Sequence, residues 1–145
     1  ELDILQDQGF QYDSSIFPVS LHDRYGFKGI NNKPQMLKGN LMEVSISTFD
    51  FFGLKLPFCG GGYFRLLPYN CFKTMARILN KRGERFVFYL HPWELDVSQP
   101  KIQATNLSKF RHYTNIKTTE TKLKRLLEDF EFQPIGKILD EFNNK

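Results

Sequence analysis

The side chains best suited to chemistry gather in the run Tyr89, Leu90, His91, Pro92, Trp93, Glu94, Leu95, Asp96. An imidazole exchanges protons near neutral pH, and a nearby carboxylate can hold one of its tautomers. His91, followed by Glu94 and Asp96, therefore has the makings of a general acid; the competing reading is a structural histidine. Position favours chemistry. Phe86, Val87, Phe88, Tyr89 and Leu90 are apolar without alternation, the pattern of a parallel strand buried on both faces. In such folds reactive groups collect just past the C-terminal ends of strands, where His91 stands.

Other groups carry weaker signals. Asp13, in Tyr12, Asp13, Ser14, Ser15, follows a short strand and either faces the same site or makes an Asx turn. His22, Asp23, Arg24 and Tyr25 read as an ion-paired pin for a long loop. Gly60, Gly61 and Gly62 precede Tyr63, Phe64 and Arg65 without the spacing of a phosphate loop or a dinucleotide fingerprint. They read as a turn that lets backbone approach another element. Phe110, Arg111, His112 and Tyr113 combine a guanidinium with rings, suited to sugar or phosphate contact or to packing. No G-x-S-x-G elbow supports a serine hydrolase, and no CxxC, HExxH or H-x(3–5)-H spacing argues for zinc.

The elements that must position these groups follow from periodicity. Leu2, Ile4 and Leu5 before Gly9 predict a helix end, and Phe10 to Tyr12 a short strand. Asp13 to Asn40, with Pro18, Gly26, Gly29, Pro34 and Gly39, reads as a long loop. Leu41 to Phe49 reads as a strand, and a turn at Gly53 leads into another through Leu56. Phe72, Met75, Ala76 and Leu79 mark a helix capped by Asn70 and stopped by Gly83. After a loop from His91 to Asn115, Leu123, Leu126, Leu127 and Phe130 mark a second, with Thr118 or Thr119 as its cap. Phe132 would lie in a short strand and Ile135, Ile138, Leu139 and Phe142 in a last helix.

Composition excludes other classes. With 145 residues, 41% hydrophobic and 25% charged, the chain is of ordinary globular make-up and the expectation is one domain, 1–145. The longest apolar run, Phe86 to Leu90, is far short of the roughly 20 residues a membrane helix needs. Cys59 and Cys71 are too few for a disulfide framework, and no secretory leader stands at the start, which favours the cytoplasm. Of the +4 net charge, much lies between Lys101 and Arg125, where seven basic residues face one acid, Glu120. That stretch is either an anion-binding surface or, the favoured reading, a solvated helix face and loop; no nucleic-acid reader motif accompanies it.

Four strings, GFQYDSSIFPVSLHDRYG, LPFCGGGYFRLLPY, FVFYLHPWELDVSQP and SKFRHYTN, resemble in this order the C-terminal part of NodB-like polysaccharide deacetylases, the subgroup found with exopolysaccharide and exosortase systems. The resemblance covers about Leu2 to Phe130 and implies an α/β fold, the C-terminal portion of a distorted (β/α) barrel of the carbohydrate esterase family four type. In that family a divalent metal, usually zinc, is held by an Asp and two His, a second Asp is the base, and a His protonates the leaving amine. The last of these matches His91, and the Asp that orients it matches Asp13. Tyr89 stands where the broader family tends to have a Leu lining the acetyl pocket.

The resemblance implies metal-dependent N-deacetylation of a polysaccharide or oligosaccharide carrying N-acetylated sugars, with Trp93, Arg65, Arg111 and His112 on the substrate side. The family's metal motifs lie upstream of the matched region. The expectation is thus a fragment, with the helix already under way at Glu1, no strongly bound metal of its own, no activity alone, and a tendency of the incomplete barrel to self-associate. The alternative is a non-catalytic glycan-binding or interaction module that uses the same aromatic and arginine loops.

Overall fold

The structure, a computed structural model, describes residues 2–16 and 32–143. The cluster His22, Asp23, Arg24 and Tyr25 lies outside the described residues, as do Glu1, Pro18, Gly26 and Gly29. Helix α1 (Leu2–Asp7) ends as its sequence predicts: Gly9 takes φ 78° and the Phe10 amide donates to the Leu5 carbonyl at 3.0 Å.

Strand β1 (Tyr12–Asp13) runs parallel to β3 (Leu41–Glu43), placing Asp13 opposite Glu43. On the other side of β3 lies antiparallel β2 (Gln35–Lys38), reached through a turn in which Gly39 has φ 53°. Strand β2 falls where a loop is predicted, because Pro34 and the polar ends of the strand hide it. The single strand predicted over Leu41 to Phe49 is also two. β3 stops at Glu43 and β4 (Thr48–Phe51) pairs instead with β5 (Leu54–Pro57), across a two-residue turn with φ 51° at Phe52 and 82° at Gly53.

Helices α2 (Gly61–Leu66) and α3 (Tyr69–Lys81) follow. The cap of α3 is Pro68 rather than Asn70; its carbonyl accepts the Cys71 and Phe72 amides, so Asn70 is already inside the helix. Gly83, at φ 73°, ends the helix as predicted. Phe72, Ala76 and Leu79 face the larger core with Phe49, Phe58, Cys59, Phe64 and Leu126. Its centre is phenylalanine meeting phenylalanine at tilted or edge-on angles, 4.9 Å between Phe64 and Phe72 and 5.2 Å between Phe58 and Phe72. That geometry suits the ring quadrupoles.

The segment 85–90 is extended but joins no ladder. Its backbone contacts are Ser47 N to Val87 O at 3.3 Å, Tyr89 N to Cys59 O at 3.1 Å and one parallel bridge between Gly60 and Tyr89. The apolar run arises because Phe86 and Phe88 serve the larger core while Val87 serves a smaller one of Met42, Val44 and Leu139. The predicted doubly buried strand is corrected accordingly. After a 3-10 turn (Pro92–Glu94) come α4 (Asn106–Tyr113), α5 (Ile116–Asp129) and α6 (Ile135–Asn143). Thr118 and Thr119 do not cap α5. Asn115 precedes it, and both hydroxyls bond back to the Asn115 carbonyl. Phe132 is in no strand and sets its ring edge-on to Phe86, 5.5 Å away.

Among the described residues the strands form one three-stranded and one two-stranded sheet and close no barrel, so the fold is mixed α/β. No helix among them is long and apolar enough to cross a membrane.

Candidate active site around His91

His91 opens the 3-10 turn. Its amide donates to Glu94 Oε2 at 3.0 Å and its carbonyl accepts the Glu94 amide at 2.9 Å, which closes the turn. The imidazole is exposed and lies flat on Trp93, centroids 4.1 Å apart and planes 13° from parallel, with Tyr89 edge-on at 5.3 Å. Neither following carboxylate orients this ring. Glu94 is engaged by the backbone, and Asp96 accepts from the Ser98 amide and hydroxyl, which lowers its pKa.

Beneath the turn, Glu94 meets Arg65, Nε to Oε1 at 3.2 Å, with both side chains about 5% exposed or less. Arg65 also donates from Nη1 to the carbonyls of His112 (2.6 Å) and Thr114 (3.0 Å), and from Nη2 to that of Arg111 (2.8 Å). Burial of a charge requires such partners. Arg65, predicted on the substrate side, is therefore buried and faces protein rather than solvent. Two of the three glycines, Gly60 and Gly61, allow the close approach that the sequence predicts, while Gly62 faces open space. A Cβ on Gly60 would fall 2.9 Å from the Tyr89 ring, and one on Gly61 would fall 1.9 Å from Glu94 Oε2. Only glycine lets both approach.

Above the turn a second link runs through Gln99, whose amide donates to the carbonyls of Trp93 (2.8 Å) and Asp96 (3.0 Å) while its Oε1 accepts from His112 Nε2 at 2.7 Å. Tyr113 Oη donates to the Pro100 carbonyl and accepts the Ile102 amide. The segments carrying His91, Trp93, Arg111 and His112 are thus tied together through Arg65, Glu94 and Gln99. Helix α4, missed in sequence, buries none of its side chains and so shows no core-facing period; its attachment through Arg65 explains how it holds. Gln99 and Tyr113 carry no motif that would have marked them.

Asp13 lies on β1, opposite Glu43 of β3. Its carboxylate accepts the Ser15 hydroxyl, and it makes no hydrogen bond or ion pair with His91, the partner predicted for it. Beside it stands a carboxyl that the sequence did not single out: Glu43 is fully buried, its Oε1 accepting the Ile16 amide (3.2 Å) and Ser45 hydroxyl (3.0 Å). Burial pushes the Glu43 pKa up; the Ser45 and Ile16 hydrogen bonds oppose this and the Asp13 charge adds to it.

Among the described residues no group of three or more His, Cys, Asp or Glu side chains stands close enough to hold a metal ion. The zinc implied by the resemblance finds no ligand set there. Three grooves, of about 430, 230 and 380 Å³, share Glu84 in their walls and include neither His91 nor Asp13. The His91 site is instead an open aromatic surface.

The basic stretch divides in two. Lys122 donates to the carbonyls of Phe64, Arg65 and Leu67, Lys124 pairs with Glu120, and Arg125 lies 4.2 Å over the Tyr69 ring. Lys122 and Arg125 tie α5 to the fold, whereas Lys101, Lys109, Arg111, Lys117 and Lys124 are exposed, in part as the solvated-face reading predicts.

No curated protein and no solved structure matches the chain. A family model described as a domain of unknown function, DUF3473, matches residues 14–140, and the chain belongs to that family.

Proposed function

We propose that this chain supplies the general-acid side of a metal-dependent, NodB-like polysaccharide N-deacetylase, whose metal ligands and base aspartate lie outside residues 1–145. The observation that carries the reading is the exposed His91 imidazole, stacked on Trp93 in a turn whose backbone is held by a buried ion pair. Membership in DUF3473, a domain associated with polysaccharide deacetylase proteins, supports it. In this reading the acetamido sugar lies across the Trp93 and His91 rings, with the C–H face of the pyranose on the indole. Once water has added to the acetyl carbon, the imidazole gives its proton to the amine nitrogen as the C–N bond breaks, so that the acetyl group leaves as acetate and the sugar as a free amine. General-acid assistance of this kind is worth about 10²–10⁴-fold. Arg111 and His112 stand on the far side of the same surface and contact neighbouring sugar units.

The test is His91→Ala in the full-length protein, assayed by acetate release from an N-acetylated oligosaccharide with metal content measured in parallel. Turnover should fall about 10²–10⁴-fold with metal content retained. Turnover that survives would return His91 to a structural role. A second reading, glycan binding without chemistry, is favoured by the apolar surface next to the site, where Trp93, Ile102 and Phe110 are each about half exposed or more. It predicts oligosaccharide binding with no acetate release from the full-length wild type.

A further inference from the structure

We propose that Arg65 and Glu94 are positioning residues that join the His91–Trp93 turn to the C-terminal end of α4, so that the two flanks of the site hold one geometry. The proposal rests on the reading of His91 as the reacting group and adds the device that places it. Four donations leave the Arg65 guanidinium: one to Glu94, three to the carbonyls of Arg111, His112 and Thr114. The other oxygen of Glu94 takes the His91 amide. A single buried side chain thus bonds to segments 29 and 46–49 residues away in sequence, and each carries a residue of the proposed site.

Two features argue for alignment over bulk stability. Helix α2 opens on Gly61, where a Cβ would strike Glu94 Oε2 at 1.9 Å, so glycine there lets the carboxylate lie against the start of the helix. Gln99 then ties the same two flanks a second time, bonding the Trp93 carbonyl and His112 Nε2. Two independent links between the same two short segments hold a relative position, which one link and a hydrophobic contact would leave free to hinge.

Trp93 is the only tryptophan of the chain, so fluorescence excited beyond the tyrosine absorption, and the circular-dichroism band at the long-wavelength edge of the near UV, report this turn. An imidazole stacked on an indole quenches its emission, so the difference in Trp93 emission between a protein and its His91→Ala counterpart at one pH reads the His91–Trp93 contact. Gly61→Ala keeps every charge and displaces Glu94; the double variant R65M/E94Q removes both charges and leaves neither buried unpaired. In the 145-residue chain, both should lower this quenching of Trp93 by His91 at least twofold and flatten its near-UV signal with the far-UV helix signal retained. Gly62→Ala, whose Cβ would meet only Arg65 Nη2 at 4.0 Å, should leave both unchanged. Wild-type quenching and near-UV signal in either folded variant would overturn the proposal. In the full-length protein, the same variants should lower kcat more than tenfold with KM within twofold. Absence of turnover in the wild type would remove the deacetylase reading while leaving the spectroscopic test of the linkage intact.

Discussion

Substitution of Gly61 by alanine sets two effects of opposite sign against each other. Gly61 is the first residue of α2, and alanine is favoured over glycine inside a helix by up to about 1 kcal/mol. Judged by propensity alone, the change stabilises. The structure reverses this: the new Cβ would lie 1.9 Å from Glu94 Oε2, 2.4 Å from Cδ and 2.5 Å from Oε1. The carboxylate must withdraw by an ångström or more, and it is held at 3.2 Å by Arg65 and 3.0 Å by the His91 amide. Separating a buried charge pair costs about 3–5 kcal/mol, of which the three carbonyl contacts to Arg65 offset a part. Net destabilisation is then about 2–4 kcal/mol, a fall in Tm of roughly 5–15 °C for a domain of this size. Urea unfolding of Gly61→Ala beside Gly62→Ala is the assay, because the second site has open space and should be neutral or slightly stabilised. Equal or greater stability of Gly61→Ala would refute the reasoning that Glu94 is pinned.

Three further outcomes follow from buried polar groups and thiols. Because burial raises the Glu43 pKa above its ordinary 4.5, folding favours the protonated acid. The associated stability is full below about pH 4.5 and is lost as pH rises through the raised value, so Glu43→Gln should gain on wild type across that interval in pH-dependent urea unfolding. A constant difference would contradict the shift. Lys122→Met removes an ammonium from the carbonyls of Phe64, Arg65 and Leu67, at a cost of about 1–3 kcal/mol by thermal unfolding; an unchanged Tm would mean that water replaces it fully. Cys59 is buried with its thiol pKa raised well above normal, whereas Cys71 is exposed. A thiol reagent should therefore label one site, Cys71, before unfolding and both afterwards, as mass spectrometry of digests would show.

The amphipathic spacing of Phe72, Met75, Ala76 and Leu79 determined α3, and the spacing around Leu126 and Leu139 determined α5 and α6, because a helix that buries one face writes its period into the chain. Gly9 and Gly83 marked helix ends since a positive φ selects glycine. His91 and Trp93 stood out by residue type and order, although the strand expected before them joins no ladder, and the close approach allowed by Gly60 and Gly61 was legible too. Helix α4 was not, since a helix held by its C-terminal carbonyls rather than by a buried face has no period to read. Nor was the role of Arg65. A guanidinium in the sequence serves equally for substrate or for scaffold, and only the fold, by burying it against Glu94 and the carbonyls of α4, decided between them. Contacts between residues 29 and 46–49 positions apart have no local signature. Tertiary structure alone therefore assigned what holds His91, and set Asp13 beside the buried Glu43 across β1 and β3.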